Sequence, residues 1–262
     1  MKNTTVGLFL GLSFFFRLLS VAKADVAICP AAAAMTLAKA TQLVVVTTAG
    51  WNSVDAKMRF YSRKSPTTAW VPSAIDGATT QTIAAVIGRN GMGWGKNFSD
   101  LHQATEPIKH EGDGRSPAGI HSFAQRFGFA ALQNVSPTWH YTALTPSVVC
   151  VDDPNSVYYS NIVDSTVVRK DWKSAEEMHS ISEYKMGMNI NYVTDRKEQT
   201  GSCIFFHIWD APHVGTTGCT AIDESHMSQF QEWLHDDSAA AIAFLTKPSL
   251  TRFAGCFTGI TF

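Results

Sequence analysis

A cadence of short β-branched runs, each closed by glycine or proline, constrains this chain more than any other feature of its sequence. Leu43-Val44-Val45-Val46-Thr47-Thr48 is the first such run, and it stops at Ala49-Gly50. Side chains branched at Cβ suit a pleated surface, and glycine suits the turn that ends it. Ala56-Lys57-Met58-Arg59-Phe60-Tyr61-Ser62 carries apolar side chains at alternate positions and runs into the turn Lys64-Ser65-Pro66. Trp70-Val71 and residues 82–88, 119–123, 147–151 and 188–192 repeat the pattern. Helical signals are few. Residues 223–234, with Met227, Phe230, Trp233 and Leu234 apolar, predict an amphipathic helix. Ser174 with Glu177 three residues on reads as a capping box that opens a short one. The alanine-rich residues 30–40 fit either a short helix or a tether, and residues 239–245 either continue the helix before them or form a last strand. Arg89-Asn90-Gly91-Met92-Gly93-Trp94-Gly95 is a glycine-rich loop with no helix signal after it, whereas a phosphate cradle needs a helix N-terminus there. The expected fold class is mainly β (α+β), one domain over residues 42–262 with a few peripheral helices.

Apolar residues make up 45% of the chain and charged residues 16%, which suffices for a core and argues against extended disorder. The formal net charge of -1 offers no electrostatic footprint for nucleic acid or an anionic membrane. Residues 1–24 read as a secretory signal peptide. Lys2 precedes the apolar residues 6–16, and Ala22-Lys23-Ala24 supplies a small-residue cleavage site. Arg17 interrupts that run, leaving about ten apolar positions where a membrane span needs about twenty. No later stretch is long and apolar enough to span, so the mature chain is expected to be exported to the periplasm or cell envelope without a transmembrane segment. Residues 25–41 follow as a tether or short helix. Disulfides persist after export, and five cysteines remain in the mature chain: Cys29, Cys150, Cys203, Cys219 and Cys256. Four can pair in any of three connectivities and one is left over. A Cys29–Cys256 bridge would tie the two ends of the mature chain together.

The chemistry concentrates in residues 205–219. Cys219 follows a glycine, and His207 ends the run Cys203-Ile204-Phe205-Phe206, which suits a buried strand. On such a strand His207 points to the same face as Phe205 and Cys203. A thiol becomes a strong nucleophile when its proton is removed, and imidazole is the commonest agent. Gly218 leaves room for a substrate carbonyl, with the N–H groups of Gly218 and Cys219 as candidate donors to a developing oxyanion. His213 is nearer to Cys219 in sequence but follows Pro212 in a polar loop and is given no catalytic role. His207, Asp210, His213 and Cys219 are suitable zinc-ligand types without the tight paired spacings of zinc sites. No metal and no other cofactor is expected.

This arrangement resembles the L,D-transpeptidase catalytic (YkuD) domain, whose signature is a histidine, a variable stretch and then Ser/Thr-His-Gly-Cys. It is most similar to the branch with Gly-Thr-x-Gly-Cys, here Gly215-Thr216-Thr217-Gly218-Cys219. Residues 111–120 are similar to that family's acidic-glycine segment ending in Thr-Pro-x-Gly, and residues 151–159 and 172–178 look like segments of the same branch. The resemblance runs from about Gln42 to about Leu245. It implies a β-sandwich catalytic domain and cysteine-dependent acyl transfer on peptidoglycan stem peptides, which serve as donor and acceptor. Cys219 would form a thioester and expel a terminal D-alanine, with His207 as base and then acid.

Thr216 and Thr217 would support the nucleophile. Thr217 stands where the family usually has a second histidine, and Ala221 where it has Asn or Arg, so His207 is the only base in the matched motif. Thr216 either orients the pair through its hydroxyl or is an ordinary turn residue. Arg115 is a candidate for binding a stem-peptide carboxylate, or else a solvated loop charge. Asp152, Asp153, Tyr158 and Tyr159 either line the cleft or stabilise a turn. The same residues would serve an L,D-carboxypeptidase or endopeptidase if water replaced the acceptor amine. A wall-binding protein that keeps the fold without catalysis is the alternative from another class.

Overall fold

In the computed structural model, residues 1, 28–77, 82–137, 140–235 and 239–262 are described. Apart from Met1, the expected signal peptide lies outside them. The first half of the chain forms β1 (Gln42–Thr48), β2 (Asp55–Ser62), β3 (Val71–Ser73), β4 (Ile83–Val86), β5 (Met92–Trp94) and the long β6 (Ser116–Gly128). The middle forms β7 (Tyr141–Ala143), β8 (Val148–Val151), β9 (Ile162–Asp164) and β10 (Ala175–Glu176). The last part adds β11 (Met186–Asn191), β12 (Phe205–Ile208), β13 (Thr220–Ile222) and β14 (Ala240–Thr246). Two α-helices, α1 (Ala31–Leu37) and α2 (Glu224–Trp233), complete the regular elements together with short 3-10 segments. The chain is mainly β with few helices, as its sequence predicts.

Pairing orders the main sheet β1-β14-β6-β11-β12-β13-β4-β2-β3, and β2 also pairs antiparallel with β1. The path therefore closes as an eight-strand barrel, with β3 appended to β2 and with β5 and β7 paired to β6. A separate sheet, β10-β8-β9, is antiparallel. β14 is buried along its whole length and lies parallel to β1, whose Leu43, Val44, Val45 and Val46 are also buried. Continuous apolar runs mark strands covered on both faces. β2 alternates exposed and buried from Asp55 to Phe60 because one face meets solvent.

α2 packs on the main core through its buried Met227 and Phe230. Asp223 caps it by accepting from the His226 N–H at 3.0 Å. Phe230 meets Phe60, Phe123 and Phe206 at ring-centroid distances of 6.2, 5.6 and 5.0 Å, so one side chain gathers rings from β2, β6 and β12. At the other end of the helix, the fully buried Arg126 of β6 donates to the carbonyls of Gln231 and Leu234 at 2.5 and 2.8 Å. These are the carbonyls that a helix C-terminus leaves without partners. Arg63 caps α1 in the same way through Ala40 and Leu37.

Disulfides join Cys29 to Cys256 and Cys150 to Cys203, and Cys219 is free. The first ties the segment before α1 to the C-terminal 3-10 helix. The second ties β8 of the small sheet to the residues just before β12. Among the described residues no helix is long and apolar enough to cross a membrane.

Three local readings are corrected. Ser174 to Glu177 open no helix: Ala175 and Glu176 pair with Val151 and Cys150 on β8, and a 3-10 turn follows at Met178–Ser180. Tertiary strand pairing overrides the local capping pattern. The glycine-rich residues 89–95 hold β5, which lies parallel to the start of β6, and a 3-10 helix follows at Lys96–Leu101. Cys203 does not share a strand face with His207, because its φ of 51° turns the chain before β12 begins. Residues 239–245 take the strand alternative: β14 begins at Ala240, directly after a 3-10 residue at 239.

His121 on β6 is buried with its ring against Phe98 and Tyr192, and burial lowers its pKa to about 4. The folded value lies below the ordinary 6.5, so its contribution to stability is intact above pH 6.5 and is lost as pH falls toward about 4. Thermal melts followed by circular dichroism are expected to weaken across that window, and His121→Phe to reduce the loss by up to roughly 3 kcal/mol. An acid response identical in the variant would place the responsible charge elsewhere.

Candidate active site

β12 and β13 lie side by side and parallel, with Phe206 opposite Thr220 and His207 opposite Ala221. Alternation along each strand therefore sends Cys219, Phe205 and His207 to one face. Cys219 is 3% exposed, at the step from the loop of residues 209–218 into β13. Its sulfur accepts the Phe205 N–H at 3.3 Å, and its thiol donates to the Cys203 carbonyl at 3.5 Å.

The backbone around the thiol is pinned by two hydroxyls. Ser116, fully buried at the start of β6, shares its one proton between the carbonyls of Gly218 and Cys219 at 2.8 and 2.9 Å and accepts the Gly88 N–H at 3.0 Å. Thr216 donates to the Cys219 carbonyl at 2.6 Å and accepts the Gly218 N–H at 3.1 Å. In a trans peptide the N–H points opposite to the carbonyl, so the Cys219 N–H is directed away from Ser116. No hydrogen bond among the described residues takes it up. Gly218 sits at φ 150°, and a Cβ there would stand 3.2 Å from the Arg115 carbonyl.

His207 is buried, and its Nδ1 lies 2.7 Å from the Ile208 carbonyl. A carbonyl can only accept, so Nδ1 carries the proton and Nε2 keeps the lone pair. Burial lowers the imidazole pKa to about 4. Burial pushes the Cys219 thiol up to about 12, the nearby Glu176 adds to the rise, and the Phe205 N–H and Tyr184 hydroxyl pull the other way. Thiol and imidazole are thus both neutral at rest. Among the described residues no hydrogen bond joins them; the ring of Tyr184 packs on His207 instead, at 5.1 Å between centroids.

Cys219 opens on a cavity of about 280 Å³ built from several separate parts of the chain. Lys109 and Glu111 come from the segment before β6, Asp152 from the residue after β8, Glu176 from β10, Ser202, Cys203 and Ile204 from the segment before β12, and Thr217, Gly218 and Cys219 from the loop before β13. The Cys150–Cys203 disulfide holds the small sheet beside the thiol. Lys109 is buried and pairs with Asp113 at 2.7 Å. Glu111 accepts the hydroxyls of Tyr159 and Ser202 at 2.6 and 2.7 Å. Glu176 accepts the Tyr184 hydroxyl at 2.9 Å, and burial raises its carboxyl to about 7.

The residues singled out from sequence are distributed unevenly around this cavity. Cys219, Gly218 and Thr217 line it, and Thr216 locks the turn beneath. Arg115 does not line it: its guanidinium donates to the carbonyls of Trp51 and Met92 and to Asn52, which makes it a tie between loops. Arg89 is the arginine at the rim. Asp152 lines the cavity, whereas Asp153 holds a turn through the Asn155 and Lys173 N–H groups, and Tyr158 packs on Trp172. His213 is exposed and pairs with Asp55 at 2.9 Å, with its backbone at φ 67°.

Ser116, Glu176 and Tyr184 were not legible as site residues. Ser116 lies inside the segment that carries the family resemblance, next to the more conspicuous Arg115. Glu176 was masked by the apparent capping box, and Tyr184 sits in a polar stretch with no periodicity. No protein-family model, no curated protein and no solved structure matches the chain.

Ser116→Ala would leave the Gly88 N–H and the Gly218 carbonyl without their partner, the Cys219 carbonyl keeping Thr216, at a cost of about 1–3 kcal/mol. Thermal denaturation is expected to shift down by several degrees, on the order of 2–4 °C per kcal/mol. An unchanged melting temperature would show that the Gly218-Cys219 peptide is held by Thr216 alone.

Proposed function

We propose that this protein is a cysteine-dependent acyltransferase of the L,D-transpeptidase type, acting on peptidoglycan stem peptides. The observation that carries the reading is the single unpaired cysteine of five, which lines a polar cavity on the face shared with a histidine whose Nε2 is unprotonated. The resemblance of residues 111–120, 151–159, 172–178 and 215–219 to one family supplies the substrate class. Export to the periplasm or envelope belongs to the same proposal, and the two disulfides agree with it. So does the β-sandwich catalytic domain, for which the closed barrel and its small side sheet are the architecture to be matched.

In this mechanism the stem peptide enters the cavity beside Cys219. Its charged groups meet carboxylates at Glu111, Asp152 and Glu176 and cations at Lys109 and Arg89, so Arg89 takes the carboxylate-binding role first considered for Arg115. Because the resting thiol is neutral, its proton passes to His207 Nε2 as the sulfur attacks the carbonyl of the third residue. For this the thiol turns from the Cys203 carbonyl and the imidazole moves toward it. The oxyanion is held by the Cys219 N–H; the Gly218 N–H, also considered for that role, is occupied by Thr216. Collapse breaks the amide, and the leaving D-alanine amine takes the proton back from His207. An acceptor amine then attacks the thioester, its proton passes to His207, and the thiol is restored.

Intact-mass analysis with a defined tetrapeptide tests each step. Wild-type protein is expected to gain an acyl adduct on Cys219, and an acceptor amine to convert it to cross-linked product. Tripeptide acid in the presence of acceptor would instead make the enzyme an L,D-carboxypeptidase. Cys219→Ala should form no adduct, and turnover by that variant would sink the proposal. His207→Ala is expected to lower kcat/KM by about 10²–10⁴. In the wild type kcat/KM should fall as pH drops through about 4, where the buried imidazole takes up a proton.

A further inference from the structure

Tyr184 neighbours both groups that the proposed mechanism requires. Its ring packs edge-on against His207 at 5.1 Å and 70°, its hydroxyl donates to Glu176 at 2.9 Å, and it shares a buried apolar cluster with Phe205 and Cys219. The same hydroxyl pulls the Cys219 thiol down against the rise that burial causes, although its proton is given to Glu176. It has one proton to give and two acceptors. Which acceptor wins depends on charge, because a hydrogen bond to an ionised oxygen is about twice as strong as one between neutral groups.

We propose that Glu176 and Tyr184 are a proton-linked positioning pair that sets the reactivity of the Cys219 thiol. When Glu176 is ionised, it holds the Tyr184 hydroxyl to itself and its charge opposes a thiolate across the cavity. When Glu176 is protonated, the repulsion is gone and the hydroxyl turns to donate to the sulfur. No bond to substrate is involved, and the only proton that moves is the carboxyl proton exchanged with solvent through the cavity.

The surroundings favour control by Glu176. Burial raises its carboxyl to about 7, and the charges of Asp152 and Glu111 add to this while the Tyr184 hydroxyl opposes it. Lys109 faces the same cavity, but its ammonium is engaged by Asp113 and the His110 carbonyl. Arg89 lies at the exposed rim, and Glu183 acts on His207 from the 3-10 turn that carries Tyr184. Glu176 is therefore the half-buried carboxylate that shares the cavity with the thiol, is tied to Tyr184 and is poised to change charge near neutrality. A thiol governed in this way loses less than the usual tenfold per unit as pH falls through about 7, and returns to the tenfold loss once Glu176 is fully protonated.

This inference rests on Cys219 as the nucleophile, but its test needs no peptidoglycan. Cys219 is the one free thiol, so the mass gain on treatment with iodoacetamide reports that residue alone. Rates are measured from pH 5 to 9 for the wild type, Glu176→Gln and Tyr184→Phe, each with both disulfides intact. The wild-type plot of log rate against pH is expected to flatten around pH 7. Glu176→Gln should rise without that flattening and react about tenfold faster at pH 8. Tyr184→Phe should react about tenfold slower below pH 6 and change little at pH 8. A wild-type line of constant slope would overturn the proposal by itself. So would variants that both speed or both slow the reaction at every pH, as loosened packing does. A flattened profile in a protein that does not acylate on stem peptide would refute the substrate reading and leave this pair standing.

Discussion

The antiparallel pairing of β1 with β2 joins the two ends of an eight-strand path, and the barrel it closes is the frame that sets His207 on β12 and Cys219 directly before β13. Closure removes the free strand edges of those eight strands and gives their inward faces one shared interior. Phe230 of α2 gathers rings from three strands of the closed path, while Arg126 of β6 takes up the carbonyls at the far end of that helix. β13, three residues long, would be a poor platform alone. Between β12 and β4 it is held on both sides, and the residue before it inherits that rigidity.

The candidate site uses the frame through few contacts. Ser116 links the turn at Gly88, the start of β6 and the Gly218-Cys219 peptide, so three separate parts of the chain meet at one hydroxyl. The second disulfide brings the small sheet, with Asp152 and Glu176, to the other side of the thiol. The electrostatics follow from burial. A thiol and an imidazole removed from water both resist charging, so the pair rests neutral and differs from a preformed thiolate–imidazolium couple.

Much of this arrangement was legible in the chain. Leu43 and the β-branched residues 44–46 became part of the buried β1, residues 56–62 became the half-exposed β2, and residues 223–234 became the capped α2. Each follows from local periodicity, which survives folding because the same side chains face the core. The odd cysteine was legible as well, and it is the free thiol. What local pattern misled was the capping box at Ser174, where pairing with β8 took the backbone hydrogen bonds that a helix would have used. Arg115 misled for a related reason: its charge was visible, but the carbonyls that engage it come from residues 51 and 92.

By itself the sequence determined the mainly-β character, the positions of the principal strands and the conjunction of Cys219 with an upstream histidine. Those properties depend on residue type and short-range alternation. Only the tertiary structure decided that the strands close into a barrel, which cysteines pair, that Arg89 rather than Arg115 rims the cavity, and that Ser116, Glu176 and Tyr184 surround the thiol. These residues lie tens of positions from Cys219, and their hydrogen bonds and charges act only over a few ångströms. Such short-range forces say nothing until the backbone has brought distant segments together.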